Sequence, residues 1–503
     1  MNNFLPYLSG LLHSAISGFG YLLPELILVI TFLAVILADL FFSGKRSSAA
    51  FWTSLIGIIV SFAAGFIQNI GTSRINFFNN SMVLDSLSVS FKSIFCIVTI
   101  LFLLFIRANK PLQDHRKGVG DLYMLLPAVL IGLNLMSMSG SLLMMYVSVE
   151  MVSIASYLMV GYVSGNSKQT EAAMKYVLFG SVCSAVMLYG MSLLYALTGS
   201  INLGDVQFLQ GLTQASEPAV TLAVMLVLVG IGFKLSFVPL HFWSPDVYEG
   251  APTPVTAFLS TAPKIAGFAL LMRFIEPFSG FEQQNPTKIL FDFRTVLTIA
   301  ALLSMLVGNF GAIWQNNTKR MLAYSSIGHT GFALMAVVAF SSSVYSNQSS
   351  DSLIFYLAVY AIMNMAAFML VDRIEHQTGE TDIRRYTGLG KVLKWEFVCF
   401  VIVLIALTGL PPTAGFVAKL LVFSSAFELY SNTGSIWALS LLVVGALTTV
   451  VSLFYYLKIP LFAYLKEADN RLVMHRNASF INYLIWFLTF ILLLVGIFPG
   501  IFS

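Results

Sequence analysis

The sequence predicts an all-α polytopic membrane protein, and three observations carry that prediction. Hydrophobic residues make up 58% of the chain and charged residues 10%, too apolar a mixture to cover a water-exposed surface. Apolar stretches of about 20 residues, the length needed to cross a hydrocarbon core, recur fourteen times. Lys and Arg are sorted into alternate connections between those stretches, as a bilayer with two unlike sides selects. A net charge of +4 over 503 residues gives no basis for nucleic-acid binding. No signal-peptide pattern opens the chain, so the first span is expected to act as its own insertion signal.

In order, the predicted spans are 20–43, 50–69, 84–106, 119–138, 141–164, 172–197, 219–243, 252–276, 293–314, 321–340, 353–375, 397–430, 435–460 and 478–502. The twelfth is too long for one straight helix and carries "TGLPPTAGF" at 408–416. Proline removes a backbone donor, and such a break survives at membrane depth only where protein or a hydrated cavity satisfies the backbone. Pro239 gives the seventh span a milder version of the same break.

Orientation follows from the basic residues. Connections after odd-numbered spans carry Lys45, Arg46; Arg107, Lys110, Arg116, Lys117; Lys168; Lys319, Arg320; Arg373, Arg384, Arg385, Lys391, Lys394; and Lys458, Lys466, Arg471, Arg476. Those after even-numbered spans carry only Arg74, Arg273, Lys288 and Arg294. The positive-inside rule therefore puts the odd connections in the cytoplasm and both termini on the outer, periplasmic side.

Five cations remain inside spans, all of them lysine: Lys92, Lys175, Lys234, Lys264 and Lys419. Each costs about 2.5–3.5 kcal/mol at a helix centre on insertion scales and so needs a partner, water or a function. Lysine gives up its proton on burial far more readily than arginine, which favours titration over permanent pairing. Lys234 and Lys264 lie fifteen residues either side of Glu249. Antiparallel helices leaving that turn would bring both lysines to similar depth. Glu150, in "MMYVSVEMVSIASY", lands near the same level, and Lys419, seven residues beyond Pro412, would extend the row. A titratable row beside interrupted helices suits lateral proton transfer.

Each group also has a structural reading. Glu150 could be satisfied by Ser148 or Ser153, and Lys234, Lys264 and Lys419 could lock helices without moving protons. Lys175 has Glu171 one turn earlier and suits an ordinary ion pair as well as a relay. Lys92 is expected to snorkel outward or to pair with Asp85. His241 and His329, inside or bordering spans, read as hydrogen-bonded polar residues or relay members, since haem would require opposed axial histidines. Cys96, Cys183 and Cys399 stand singly, without the spacing of a cluster or zinc site. No glycine-rich phosphate loop sits between a strand and a helix. The residues thus offer no site for NADH, flavin or a metal.

"GFKLSFVPLHFWSPDVYEGAPTPVTAFLSTAPKIAGFALLMRF" at 232–274, "KRMLAYSSIGHTGF" at 319–332 and "LTGLPPTAGFVAKLLVF" at 407–423 resemble the antiporter-like membrane subunits of proton-pumping NADH:quinone oxidoreductase, respiratory complex I. The likeness covers essentially the whole chain. A lysine at 419 and a chain ending just after the fourteenth span resemble the subunit N (subunit 2) type.

The resemblance implies two five-helix repeats of inverted topology, each with one broken helix. That gives N-terminal helices at 1–118, repeats at 119–276 and 277–460, and a last helix at 461–503. It also implies that Glu150, Lys234, Lys264 and Lys419 form a proton relay, with Lys175, His241 and His329 as secondary members. The expected setting is a bacterial inner membrane, among other membrane-arm subunits including an antiporter-like subunit M and small membrane subunits, with NADH, FMN, iron–sulfur clusters and quinone on other chains. Two other readings remain: a sodium/proton antiporter subunit, which should show clustered deep carboxylates where one is evident, and a structural subunit whose charges only pack.

Overall fold

A computed structural model describes residues 16–42, 47–68, 74–115, 118–163, 167–285, 289–341, 346–466 and 480–501. The predicted positions of both termini, and the cations Lys45, Arg46, Arg116, Lys117, Lys288, Arg471 and Arg476, lie outside the described residues. Among these, fourteen helices are long and apolar enough to cross a membrane, and each overlaps one predicted span.

The principal helices are α1 (Leu23–Phe41), α2 (Ser48–Gln68), α3 (Ser86–Ala108), α4 (Gly120–Met138), α5 (Leu142–Val160), α6 (Ser167–Thr198), α7 (Glu217–Leu235), α8 (Trp243–Gly250) and α9 (Thr253–Leu259). They continue with α10 (Ala262–Gln284), α11 (Phe293–Ile313), α12 (Thr318–Ser341), α13 (Ser346–Thr378), α14 (Lys394–Thr408), α15 (Ala414–Thr433), α16 (Ile436–Pro460) and α17 (Phe480–Ile497).

Helix ends depart from the predicted spans for local reasons. The span expected at 219–243 leaves helix at Leu235, because Ser236 takes a left-handed φ of 56°, which ends a right-handed helix. The span expected at 252–276 is two helices, α9 and α10. Between them Ser260 and Thr261 each donate a hydroxyl hydrogen bond back to the Ala257 carbonyl at 2.8 Å, competing with the backbone ladder, and Pro263 has no N–H to offer. The 397–430 region divides into α14 and α15. Gly409, at φ 83°, ends α14 in the left-handed conformation that glycine adopts without strain. Its N–H and that of Leu410 both return to the Ile405 carbonyl, at 3.0 and 3.2 Å.

The chain forms two compact units. The first comprises residues 1–159, 180–231 and 265–291. In it a hairpin of two short strands, β1 (Ile75–Phe77) and β2 (Met82–Leu84), leads into α3. Asp85 caps that helix in a reciprocal box with Ser88, at 2.9 and 3.0 Å. Two buried charge networks hold the unit together. Lys92 pairs with Glu25 at 2.9 Å, and Asn134 donates to the same carboxylate at 3.0 Å. Arg273 holds Asp85 through two nitrogens at 2.5 and 2.7 Å and donates to the Ser137 carbonyl at 2.8 Å.

Both networks correct expectations. Lys92 neither snorkels nor pairs with Asp85, because Glu25 reaches it first. Arg273, expected in an outer connection, is a buried residue of α10 with only 2% of its side chain exposed, so the intramembrane cations are not all lysine. Glu25 is a deep carboxylate besides Glu150.

The second unit comprises residues 160–179, 232–264 and 292–503. Its central element is α12, buried over nearly its whole length. A Cβ on Gly308 of α11 would run into the backbone of Gly328, and one on Gly331 would stand 2.8 Å from the Ala301 carbonyl. Small residues here let two helices pack backbone to backbone.

Candidate functional site

The second unit brings Lys264 and Lys419 onto α12 beside His329, and Thr330 of the same helix bonds the carbonyl of Leu235, the residue after Lys234. On that helix Ser325, Ser326, His329, Thr330 and Phe332 recur at spacings of three and four, so they occupy neighbouring turns of one side.

Lys264 enters from the first turn of α10 and is 2% exposed. Its Nζ donates to Ser326 Oγ at 2.6 Å and reaches Thr330 Oγ1 at 3.4 Å. Ser326 shares a 2.8 Å hydrogen bond with the Tyr360 hydroxyl of α13. The His329 ring lies between two phenols: Nδ1 is 2.7 Å from the Tyr356 hydroxyl and Nε2 is 3.4 Å from that of Tyr456. Tyr456 in turn hydrogen-bonds Ser325.

Lys419, on α15, meets the gap between α14 and α15. Its Nζ donates to the Thr408 carbonyl at 2.7 Å and stands 4.5 Å from the centre of the Phe332 ring. The last carbonyls of a helix lack intrahelical partners and form the negative end of its dipole, so an ammonium suits this position. A side chain at Gly409 would occupy the space of the Lys419 stem, 2.6 Å from its Cδ. The glycine is therefore required twice, for its φ and for the lysine's passage.

Lys234, 3% exposed, lies in the last turn of α7, where carbonyls freed by the helix end find side-chain donors. The Trp243 indole donates to the Phe233 carbonyl at 3.1 Å, and Thr330 donates to that of Leu235 at 3.1 Å. The next segment is pinned by a bond from the Val238 N–H to Ser304 at 2.9 Å.

Lys175 and His241 lie apart from these hydrogen bonds. Lys175, 37% exposed, pairs with Glu171 at 2.8 Å and Asp246 at 2.6 Å. Arg320 binds the same Asp246 at 2.6 Å and Glu249 at 3.2 Å, and these groups line a cavity of about 150 Å³. Burial alone would raise the Asp246 carboxyl, but hydrogen bonds from Lys175 and Arg320 outweigh it and hold the group below its ordinary value. His241 stands in the segment after α7 with its ring against Phe242.

Glu150 belongs to the first unit. Ser148 and Ser153 do not satisfy it: their hydroxyls donate to the Met145 and Val149 carbonyls at 3.0 and 2.7 Å. Its Oε1 is buried without a hydrogen-bond partner among the described residues. The structure also brings in Ser326 and three tyrosines, Tyr356, Tyr360 and Tyr456; sequence reasoning passes over the tyrosines because aromatic residues in apolar spans read as packing, and over the serine because a lone hydroxyl in a helix bonds its own backbone. The signal available was the four-residue spacing of Tyr356 and Tyr360.

Residues 139–449 match the family described as NADH:quinone oxidoreductase/Mrp antiporter, transmembrane. The chain is 38% identical to NADH-quinone oxidoreductase subunit N 2 of Chloroherpeton thalassium, over 96% of this chain and 92% of that protein. It is 39% identical to subunit N of Chlorobium chlorochromatii, over 89% and 85%. Among solved structures, a chain of respiratory complex I from Thermus thermophilus with bound aureothin superposes with a TM-score of 0.77 at 28% identity, covering 95% of this chain and 98% of that one.

Proposed function

This chain belongs to the NADH:quinone oxidoreductase/Mrp antiporter family as a subunit N, a multi-pass membrane subunit of a bacterial complex I, and we propose that it conducts protons along the lysines gathered around α12. The observation that carries the reading is the Lys264–Ser326–Tyr360 run, with His329 between two phenols and Lys419 on an open helix end. Each lysine can hold a proton, and each hydroxyl can accept one while giving another.

In this reading Lys234 takes a proton from the cytoplasmic side, Lys264 and His329 pass it sideways, and Lys419 releases it outward. Glu150 supplies the counter-charge that decides whether Lys234 keeps its proton. The inverted repeats at 119–276 and 277–460, periplasmic termini and a neighbouring subunit M belong to the same reading. Oxidation of NADH and reduction of quinone fall to other subunits, with their FMN and iron–sulfur clusters. The test is Lys234→Ala in the whole complex. Proton pumping and NADH:quinone turnover are expected to fall at least about tenfold at normal assembly. Full activity at normal assembly would remove Lys234 from the path, and loss of assembly alone would favour a packing role.

A further inference from the structure

Helix α13 carries Tyr356, Tyr360, Asn364, Phe368, Asp372 and His376 at every fourth position. Neighbouring members of such a ridge stand on adjacent turns, about 6 Å apart along the axis, and five of the six are polar. The inner end is the site already described, with Tyr356 on His329 and Tyr360 on Ser326. Asn364, 1% exposed, donates to the Tyr360 carbonyl at 3.4 Å. The outer end is a dyad: His376 Nε2 is 3.3 Å from Asp372 Oδ2, the imidazole 33% exposed and the carboxylate 3%. Beside it Glu375 pairs with Lys319 at 3.2 Å.

A carboxylate buried to this degree is costly without a compensating partner. Here that partner is a titratable ring that reaches solvent, which describes a proton-loading pair better than a structural lock. The one apolar rung, Phe368, is fully buried and packs edge-on against Tyr248 at 6.3 Å. The Lys264 ammonium stands 6.0 Å from the centre of that same Tyr248 ring.

We propose that the α13 ridge is a proton lead from the His376–Asp372 dyad to Lys264, closed at Phe368 where the ring excludes water. Hydrophobic constrictions gate by dewetting. When the ring moves aside, water spans the rung between Asp372 and Asn364, whose amide holds that water without carrying the proton. A proton taken from solvent by His376 passes to Asp372, through the water to Tyr360, and on to Ser326. Each oxygen gains one proton and gives one, and an N–H bond forms on the neutral Lys264 amine. The inference rests on Lys264 being a proton carrier, and the lead acts in series with Lys234: it reloads Lys264 after each sideways transfer, so blocking either one slows the whole cycle.

The test measures NADH-driven proton uptake by inside-out membrane vesicles, per assembled complex, for Lys264→Ala, Asp372→Asn, Asp372→Glu and Asn364→Leu. Lys264→Ala is expected to abolish uptake. Asp372→Asn and Asn364→Leu should each slow it about tenfold, and Asp372→Glu should return it to within about twofold. A second measurement introduces Asn364→Cys in a background with Cys96, Cys183 and Cys399 replaced by alanine. A small methanethiosulfonate reagent applied to the cytoplasmic face should label it at least about tenfold faster when Phe368→Ala opens the rung.

Normal uptake by Asn364→Leu, or equal labelling with and without Phe368, overturns the lead. If Asp372→Asn does not assemble, those two results decide. Normal uptake by Lys264→Ala instead overturns the lysine row itself, so the two failures are distinguishable.

Discussion

The two units differ in how they hold some of their buried cations. In the first, Lys92 is held by Glu25 and Arg273 by Asp85. In the second, Lys319 is likewise held by Glu375, but Lys264 and Lys419 meet no carboxylate among the described residues: one is held by serine and threonine hydroxyls, the other by a carbonyl and an aromatic face. A cation facing an anion is held in its charged form, and removing either member strands the other. A lysine held by neutral dipoles keeps a hydrogen-bonded place in either protonation state. Buried charge alone therefore does not mark a proton carrier, whereas buried charge with neutral partners makes one possible chemically.

Substitutions can break that contrast. The largest effect is expected from Glu25→Leu, which strands Lys92: about 3–5 kcal/mol of stability, read as loss of assembled complex on mild heating. Adding Lys92→Met should recover most of it, and failure to recover would mean Glu25 does more than pair. Lys419→Met should do the reverse. Pumping is expected to fall at least about tenfold, while heat resistance drops by only about 1 kcal/mol for the one lost hydrogen bond.

Thr330→Val keeps its shape but removes the hydroxyl shared by Lys264 and the Leu235 carbonyl. A slowing of about threefold to fivefold is expected, in keeping with a net hydrogen bond of about 1 kcal/mol. The smallest effect concerns Asp246. Its carboxyl is held below the ordinary value of 3.8, so its contribution to stability is complete above that value and is lost only as pH falls through the depressed one. Asp246→Asn should therefore leave the pH dependence of stability between about pH 6 and 8 unchanged; a new dependence there would overturn the assignment.

Much of the fold was legible because lipid imposes length and apolarity on every span. Lys234, Lys264 and Lys419 were legible for the same reason: a lone charge in a twenty-residue apolar run stands out. Arg273 was not, because a sequence window cannot tell a helix end at the membrane surface from one buried against Asp85 and the Ser137 carbonyl. The interruption at Ser260–Thr261 was missed because hydroxyls turning back on Ala257 look, in sequence, like ordinary helix residues. The tyrosines were missed because a phenol counts as apolar in hydropathy and as a hydrogen-bonding group in the site, and only its neighbours decide which.

The glycine contact between α11 and α12 sets the mechanics of the site. With Gly308 against Gly328 and Gly331 against the Ala301 carbonyl, the backbones of α11 and α12 meet directly at these two points, which leaves α12 little room to shift against α11. The compliance needed for each stroke must lie elsewhere: in the long lysine stems and in the non-helical joints at 236–242, 260–261 and 409–413. The row is then a rigid rail serviced by flexible arms. Softening the rail, by enlarging a glycine, should damage coupling even where every titratable group remains in place.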